Sequence, residues 1–236
     1  MKFRLILISL ALPFSVFAQS SGDTAFLTAR DAFRAGDINK LERATSQLGN
    51  HELAVYAESY RLRMWIDKGD PGNLRDFLQR NEGSYVAEKL RADWIRLFGK
   101  RSTWNEVDAE FPKMLSPEPD VICYSQLARL ARYDRAVLAE AEKLWLTMLE
   151  PPEPCRSVMD ALVANQRISA DEVWARARRQ VEANRPGWAK TTLNYLPENQ
   201  VPDSKAFDSA ISSAMSHLVR QPANWYASRA GRELAT

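Results

Sequence analysis

Apolar residues recur at three- and four-residue steps along most of this 236-residue chain, and this spacing restricts its fold more than any other feature. Such steps place apolar side chains on one face of an α-helix, and that face must be buried against neighbouring helices. Three such stripes comprise Leu53, Tyr56, Tyr60, Leu62, Met64 and Ile66; Leu90, Trp94, Leu97 and Phe98; and Leu138, Ala141, Leu144, Trp145 and Met148. We find neither a two-residue turn of the Asn-Gly type nor a sustained apolar/polar alternation. The sequence therefore predicts an all-α fold.

Start and stop signals divide the chain into short segments. Asp37, Asp134 and Asp203 precede periodic runs, and two capping boxes are predicted, Thr103 with Glu106 and Ser169 with Glu172. Glycines that follow periodic runs predict helix ends at Gly36, Gly49, Gly69, Gly83 and Gly99. Proline clusters at 112–119 and 151–154 prevent helix continuation. These signals predict about a dozen helices joined by short turns.

Many short helices with brief connections favour stacked helical hairpins over a four-helix bundle. Seven Trp, nine Phe and seven Tyr residues supply enough large apolar surface to exclude intrinsic disorder. The tryptophans are unevenly spaced, and no window fits a tetratricopeptide consensus. We therefore predict irregular hairpins stacked into a curved superhelix, an α-solenoid, over residues 19–236.

The first 18 residues have the pattern of a secretory signal peptide. Lys2 and Arg4 precede an almost wholly apolar stretch, Leu5–Phe17, and Val16-Phe17-Ala18 fits a cleavage site. The apolar stretch is shorter than the ~20 residues that a membrane-spanning helix needs, so we expect no stable membrane insertion. An uncleaved membrane anchor is the alternative interpretation. The mature protein is expected to begin near Gln19, in an oxidising compartment.

The charge of the mature chain argues against nucleic acid as a partner. Cleavage removes two of the 32 basic residues and no acid, which leaves 30 of each sign. A neutral chain has no general attraction to phosphate backbones or anionic lipids. The local run Arg176, Arg178 and Arg179 is interpreted as a solvated helix face.

Cys123 and Cys155 are the first residues with specific chemistry. Each follows a proline-rich loop and is expected near the start of a helix. In an exported protein two such cysteines usually pair, and a loop of that length would gain ~3–4 kcal/mol in the chain-entropy model. Two free buried thiols, or a redox role, are the alternatives. We therefore predict a Cys123–Cys155 disulfide.

No pattern of catalytic residues is evident in the sequence. Two cysteines cannot form a four-Cys zinc site, and a zinc enzyme with only two histidines would need Asp or Glu to complete its ligand set. No glycine-rich phosphate loop is present. His51 and His217 lie in ordinary helical contexts and are predicted to be surface or capping residues. We assign no catalytic residue, no metal and no cofactor.

Residues 37–200 resemble the N-terminal α-superhelical domain of periplasmic soluble lytic murein transglycosylases, enzymes that cleave the glycan strands of peptidoglycan. The two cysteines with the Leu-Trp-Leu run between them are the most specific part. The matching residues are Tyr56-Ala-Glu-Ser-Tyr60-Arg-Leu62, Leu74, Phe77-Leu78, Ser84, Ala87, Leu90-Arg91, Trp94-Ile95, Leu97, Trp104, Cys123-Tyr124, Ala141-Glu-Lys-Leu-Trp-Leu146 and Cys155. The resemblance implies a periplasmic location and a scaffold role.

In that family a separate C-terminal lysozyme-like domain performs catalysis, and its glutamate lies in a Glu-Ser motif. Glu58-Ser59 repeats the dipeptide, but Tyr60-Arg-Leu-Arg-Met64 follows it, and Arg61 would lower the glutamate pKa instead of raising it. We therefore expect this chain to be inactive alone. The implied partners are peptidoglycan glycan strands and a catalytic transglycosylase domain.

Three hypotheses follow from the resemblance and the residues. The leading one is a non-catalytic transglycosylase scaffold that binds or positions murein. This hypothesis predicts that the scaffold domain is incomplete at its C-terminal end. The stretch from Pro222 resembles the start of another helical hairpin, which would leave an apolar face near Trp225 and Tyr226. The alternatives are a free-standing periplasmic helical-repeat binding module and an enzyme with an unrecognised site. Arg91, Arg129, Arg132 and Arg176 are interpreted as surface residues without an assigned role.

Overall fold

The computed structural model describes residues 21–235, and the predicted signal peptide, residues 1–18, lies outside that range. The described residues form fourteen α-helices and no strand, which confirms the all-α prediction. None of these helices is both long and apolar enough to cross a membrane. The helices are α1 (Ser21–Ala35), α2 (Ile38–Leu48), α3 (Ala54–Met64), α4 (Pro71–Arg80), α5 (Tyr85–Lys100), α6 (Trp104–Glu110), α7 (Pro119–Ala131), α8 (Ala136–Trp145), α9 (Glu153–Ala164), α10 (Ala170–Glu182), α11 (Pro186–Leu193), α12 (Ser204–Ser212), α13 (Ala214–Val219) and α14 (Arg229–Leu234).

The chain divides into two compact units at residues 90 and 91. In the first unit α1, α2 and α3 pack together around small and apolar residues, among them Ala29, Leu41 and Ala57. The rings of Phe33 and Tyr60 stack with centroids 4.7 Å apart. The tyrosine stripe predicted from the sequence therefore lies against α1.

The second unit repeats one connection between helices. After α5, α7, α9 and α10 the residue two positions past the helix end has a left-handed backbone, at Ser102, Tyr133, Gln166 and Asn184. The amide of the following residue donates back across each turn, from Thr103 to Phe98 O for example, which is the Schellman arrangement. The first three turns lie 31 and 33 residues apart, and the fourth follows 18 residues later. We call each helix pair around one of the first three turns a two-helix repeat.

Buried clusters in the second unit follow the order of the helices. Ile95, Val107 and Val121 form one cluster between α5, α6 and α7. Leu138, Val158 and Leu162 form the next with the two cysteines. A third, larger cluster extends from α8 to α12 and contains Trp145, Trp174 and Phe207. Each helix therefore buries its apolar face against helices close to it in the chain.

Most of the predicted helix signals are found, with two corrections. Asp37 and Asp203 cap helix starts, and Ser169 with Glu172 forms a complete capping box. The Thr103 box is wrong, because the Thr103 hydroxyl donates to Phe98 O at 3.1 Å and leaves the next turn uncapped. Gly99 is not a helix end but lies inside α5, where a β-carbon would come 2.1 Å from the Tyr124 ring.

Candidate functional site

The disulfide joins equivalent positions of two successive repeats. Cys123 in α7 and Cys155 in α9 are bonded, with Cα atoms 5.0 Å apart and both residues fully buried. Their separation of 32 residues equals the repeat, since each lies ten or eleven residues before its left-handed turn residue. The bond therefore fixes α7 to α9, which also pack directly against each other.

Arg176 is buried between α8 and α10, although the sequence was interpreted as placing it on the surface. Its side chain is among the largest that are fully enclosed, at 1% exposure. The guanidinium donates to the carbonyl oxygens of Trp145 and Met148 and lies 5.0 Å from the Trp145 ring centroid. Burial lowers the pKa of Arg176 to about 10. The surface interpretation of Arg176 is therefore wrong, because the C-terminal carbonyls of α8 accept its charge.

Two further α10 side chains complete this contact, which we call the α8–α10 junction. Gln180 Nε2 donates to Leu149 O at 2.7 Å, while Arg179 Nη1 donates to Leu146 O at 2.8 Å. In return, the Trp145 indole donates to Glu172 O at 3.0 Å. The junction thus supplies donors to the carbonyl at the end of α8 and to three carbonyls of the segment that follows it, and it sets the register between neighbouring repeats.

The other arginines singled out from the sequence also lie in ion pairs. Arg91 is buried and pairs with the buried carboxylate of Glu110, so its surface interpretation is wrong. Arg129 bridges Asp134 and Glu140 at 2.8 and 2.6 Å, and these hydrogen bonds raise its pKa. Their geometry is that of structural links between segments of the chain.

Arg132 is the most exposed of these arginines, with 54% of its side chain accessible. Its Nη1 lies 2.6 Å from Asp108 Oδ2 of α6. The contact therefore joins the turn of one two-helix repeat to the second helix of the preceding one, while the guanidinium stays accessible to solvent.

A carboxylate cluster surrounds Arg96. The guanidinium contacts Asp93, Glu118 and Asp120, the last at 2.6 Å. Hydrogen bonding from Arg96 lowers the pKa of Asp120 more than burial raises it. The cluster ties the loop before α7 to α5, and it favours the ionised form of Asp120.

Neither Glu58 nor the histidines form a catalytic arrangement in the described residues. Glu58, which repeats the Glu-Ser dipeptide of the family, accepts a hydrogen bond from Arg80 at 3.0 Å and therefore lies in an ion pair. His51 Nδ1 accepts the Leu53 amide, as expected of a capping residue. His217 is buried against the Trp225 ring, so its surface prediction is wrong. Within residues 21–235 no group of three His, Cys, Asp or Glu side chains could hold a metal ion.

The C-terminal helices line a half-open, mainly apolar pocket of about 330 Å³. Trp174 and Val181 of α10, Phe207 of α12 and Leu218 of α13 form most of its walls. Helix α14 closes one side, where Glu233 pairs with Arg178 of α10. The stretch from Pro222 forms a short 3-10 segment, Ala223–Ala227, before this helix.

One solved structure shares this arrangement of helices. No protein-family model matches the sequence, and no curated protein is similar to it in sequence. The structure of the 70-kDa soluble lytic transglycosylase in complex with bulgecin A aligns with 92% of this chain at a TM-score of 0.68. The two chains share a fold. Sequence identity is 16%, and the chain spans 35% of the length of that enzyme.

Sequence reasoning missed the α8–α10 junction, the buried Arg91 pair and the regular repeat. A signal for the first lies in the spacing, since Arg176 and Trp145 are 31 residues apart. Nothing in the helical pattern around Arg91 distinguishes a buried arginine from an exposed one. The repeat was hidden because its turn position carries chemically different residues.

Proposed function

We propose that this chain is a non-catalytic helical scaffold of a lytic transglycosylase that binds or positions murein in the periplasm. The observation that carries the proposal is the likeness to the 70-kDa enzyme over 92% of this chain and 35% of that one. The buried disulfide agrees with an oxidising compartment, and the expected signal peptide would direct the chain there. Catalysis is assigned to a domain outside the region that resembles this chain.

The chemistry of the acidic residues supports a scaffold role. A glutamate that serves as both acid and base needs a raised pKa in an apolar cleft. Here the buried Glu110 pairs with Arg91 and Lys113, and arginines lower the pKa values of Asp120, Asp134 and Glu140. Acids stabilised in their ionised form are suited to holding helices together.

The second candidate, a free-standing binding module, is favoured by the packing of α14. Arg229 of this helix lies 3.0 Å from Asp171, and Glu233 pairs with both Arg229 and Arg178. These ion pairs hold α14 against α10, so the last described helix packs on this chain's own helices, as a free-standing module requires.

Both candidates are tested with residues 19–236 and isolated murein sacculi. We expect the protein to co-pellet with sacculi and to release no 1,6-anhydromuropeptides detectable by mass spectrometry, with an active lytic transglycosylase as the positive control. Anhydro products would overturn the scaffold proposal. A protein that neither cleaves nor pellets would refute both candidates as murein-binding proteins.

A further inference from the structure

Tyr133 occupies a backbone position that disfavours its side chain. It lies in the turn between α7 and α8 with φ of 61°, in the left-handed region. A β-carbon is sterically strained there, and a bulky residue is a rare occupant. Corresponding turns carry Gly36, Ser102, Gln166 and Asn184. Neither the turn nor its hydrogen bonds require an aromatic residue.

Packing does not compensate for this strain. The Tyr133 residue is 84% exposed, the largest value among the exposed large apolar residues. Within residues 21–235 its side chain takes part in no hydrogen bond, ring stacking or cation–ring contact. When no side-chain contact in the fold stabilises a strained residue, the strain suggests a functional role.

Two arginines flank Tyr133 in the sequence. Arg132 precedes it and pairs with Asp108 of α6. Arg135 lies two residues after it and donates to Asn165, next to the Gln166 turn. These two bonds tie the turn that carries Tyr133 to the repeats before and after it, and they fix the backbone from which the exposed ring projects.

This setting suits a polar ligand with one apolar face. A protein interface would need several buried apolar side chains at its centre, and Tyr133 stands alone among charged residues. A sugar ring has an apolar CH face that packs on an aromatic ring. Its hydroxyl and carboxylate groups accept hydrogen bonds from planar guanidinium donors.

We infer that Tyr133 is a stacking contact for a sugar ring of a carboxylate-bearing glycan strand, with Arg132 and Arg135 donating to its polar edge. The inference rests on the proposed function and names the residue that contacts murein.

The test compares wild type with Tyr133→Asn, Tyr133→Phe and Tyr85→Asn in sacculus co-pelleting and thermal unfolding. Asparagine tolerates the left-handed region, so Tyr133→Asn is expected to raise the Tm by about 2–4 °C while weakening binding about tenfold. Tyr133→Phe keeps the ring and should bind as wild type does. Tyr85 is also exposed, at 65%, and Tyr85→Asn serves as the matched control, which should bind sacculi as wild type does.

The sacculi are used before and after removal of attached proteins with detergent and protease. Binding by Tyr133→Asn equal to wild type would overturn the inference and leave the proposed function intact. Loss of Tyr133-dependent binding after protease treatment would overturn it in favour of a protein partner. A wild type that fails to pellet would refute the proposed function, and the inference with it.

Discussion

Replacement of Arg176 by methionine is the sharpest test of how this fold is held together. Methionine retains the apolar stem against Trp145 but removes the donors to the carbonyls of Trp145 and Met148. Hydrogen bonds from charged groups contribute ~1.5–3 kcal/mol each, and a buried acceptor left without a donor costs ~1–3 kcal/mol. Removing the desolvated charge offsets part of this loss. We expect the free energy of unfolding to fall by about 3 kcal/mol.

Arg179→Met is the matched control. Arg179 lies on the same helix and donates to Leu146 O of the same junction, but it is exposed, so water replaces the lost donor. A surface substitution of this kind changes stability by less than ~0.5–1 kcal/mol.

Urea unfolding followed by circular dichroism at 222 nm measures both variants with the disulfide intact. For a slope of ~1–3 kcal/mol per molar urea, the Arg176→Met midpoint should fall by at least ~1 M, with an unchanged slope. Equal midpoints for Arg176→Met and Arg179→Met would show that the junction carbonyls find other donors, and the argument from burial would fail. An intermediate loss is expected for Arg176→Lys, since an ammonium group cannot match the fork geometry.

Two other predictions concern the second unit. Replacing Cys123 and Cys155 together by serine should lower the free energy of unfolding by ~3–4 kcal/mol, because the loop between them closes over 32 residues; a loss below ~1 kcal/mol in urea titrations would contradict this. Hydrogen bonding from Arg96 lowers the pKa of Asp120, so this carboxylate contributes stability above its unfolded pKa of ~3.9, and the contribution is lost as the pH falls through the lower folded value. Asp120→Asn should therefore be less stable than wild type at pH 7 and converge with it as the pH falls through the lowered folded pKa of Asp120, and parallel stability curves over this range would exclude the linkage.

Local patterns in the sequence predicted the helices well because each helix is determined by residues three or four positions apart. Asp37 and the Ser169 capping box are recognisable for the same reason, since the donor and acceptor lie within one turn. Thr103 fits the same pattern, but its predicted capping box is absent because its hydroxyl donates to Phe98 O instead. That contact depends on the geometry of the preceding turn.

Burial of charged and polar residues was beyond local reasoning. Arg176 looks like one of three arginines on a solvated face, and only the carbonyls of α8, about 30 residues earlier, make its burial favourable. His217 is buried by Trp225, whose ring approaches from a segment without helical periodicity. In both cases the deciding partner lies on another element.

The repeat itself shows why the fold can be shared at 16% identity. In the second unit the junction between α8 and α10, the disulfide and the turn contacts all join groups 24 to 33 residues apart in the chain. Each two-helix repeat therefore needs to fit only its neighbours, as in repeat proteins, and no single residue type is required throughout. A turn position that accepts Ser, Tyr or Gln with the same backbone is the clearest case, because the backbone bonds across the turn maintain the repeat and leave the exposed side chain available for function. Tyr133 is the residue where that choice is least favourable for the backbone, which is why the substitution that stabilises the fold is also the one expected to weaken binding.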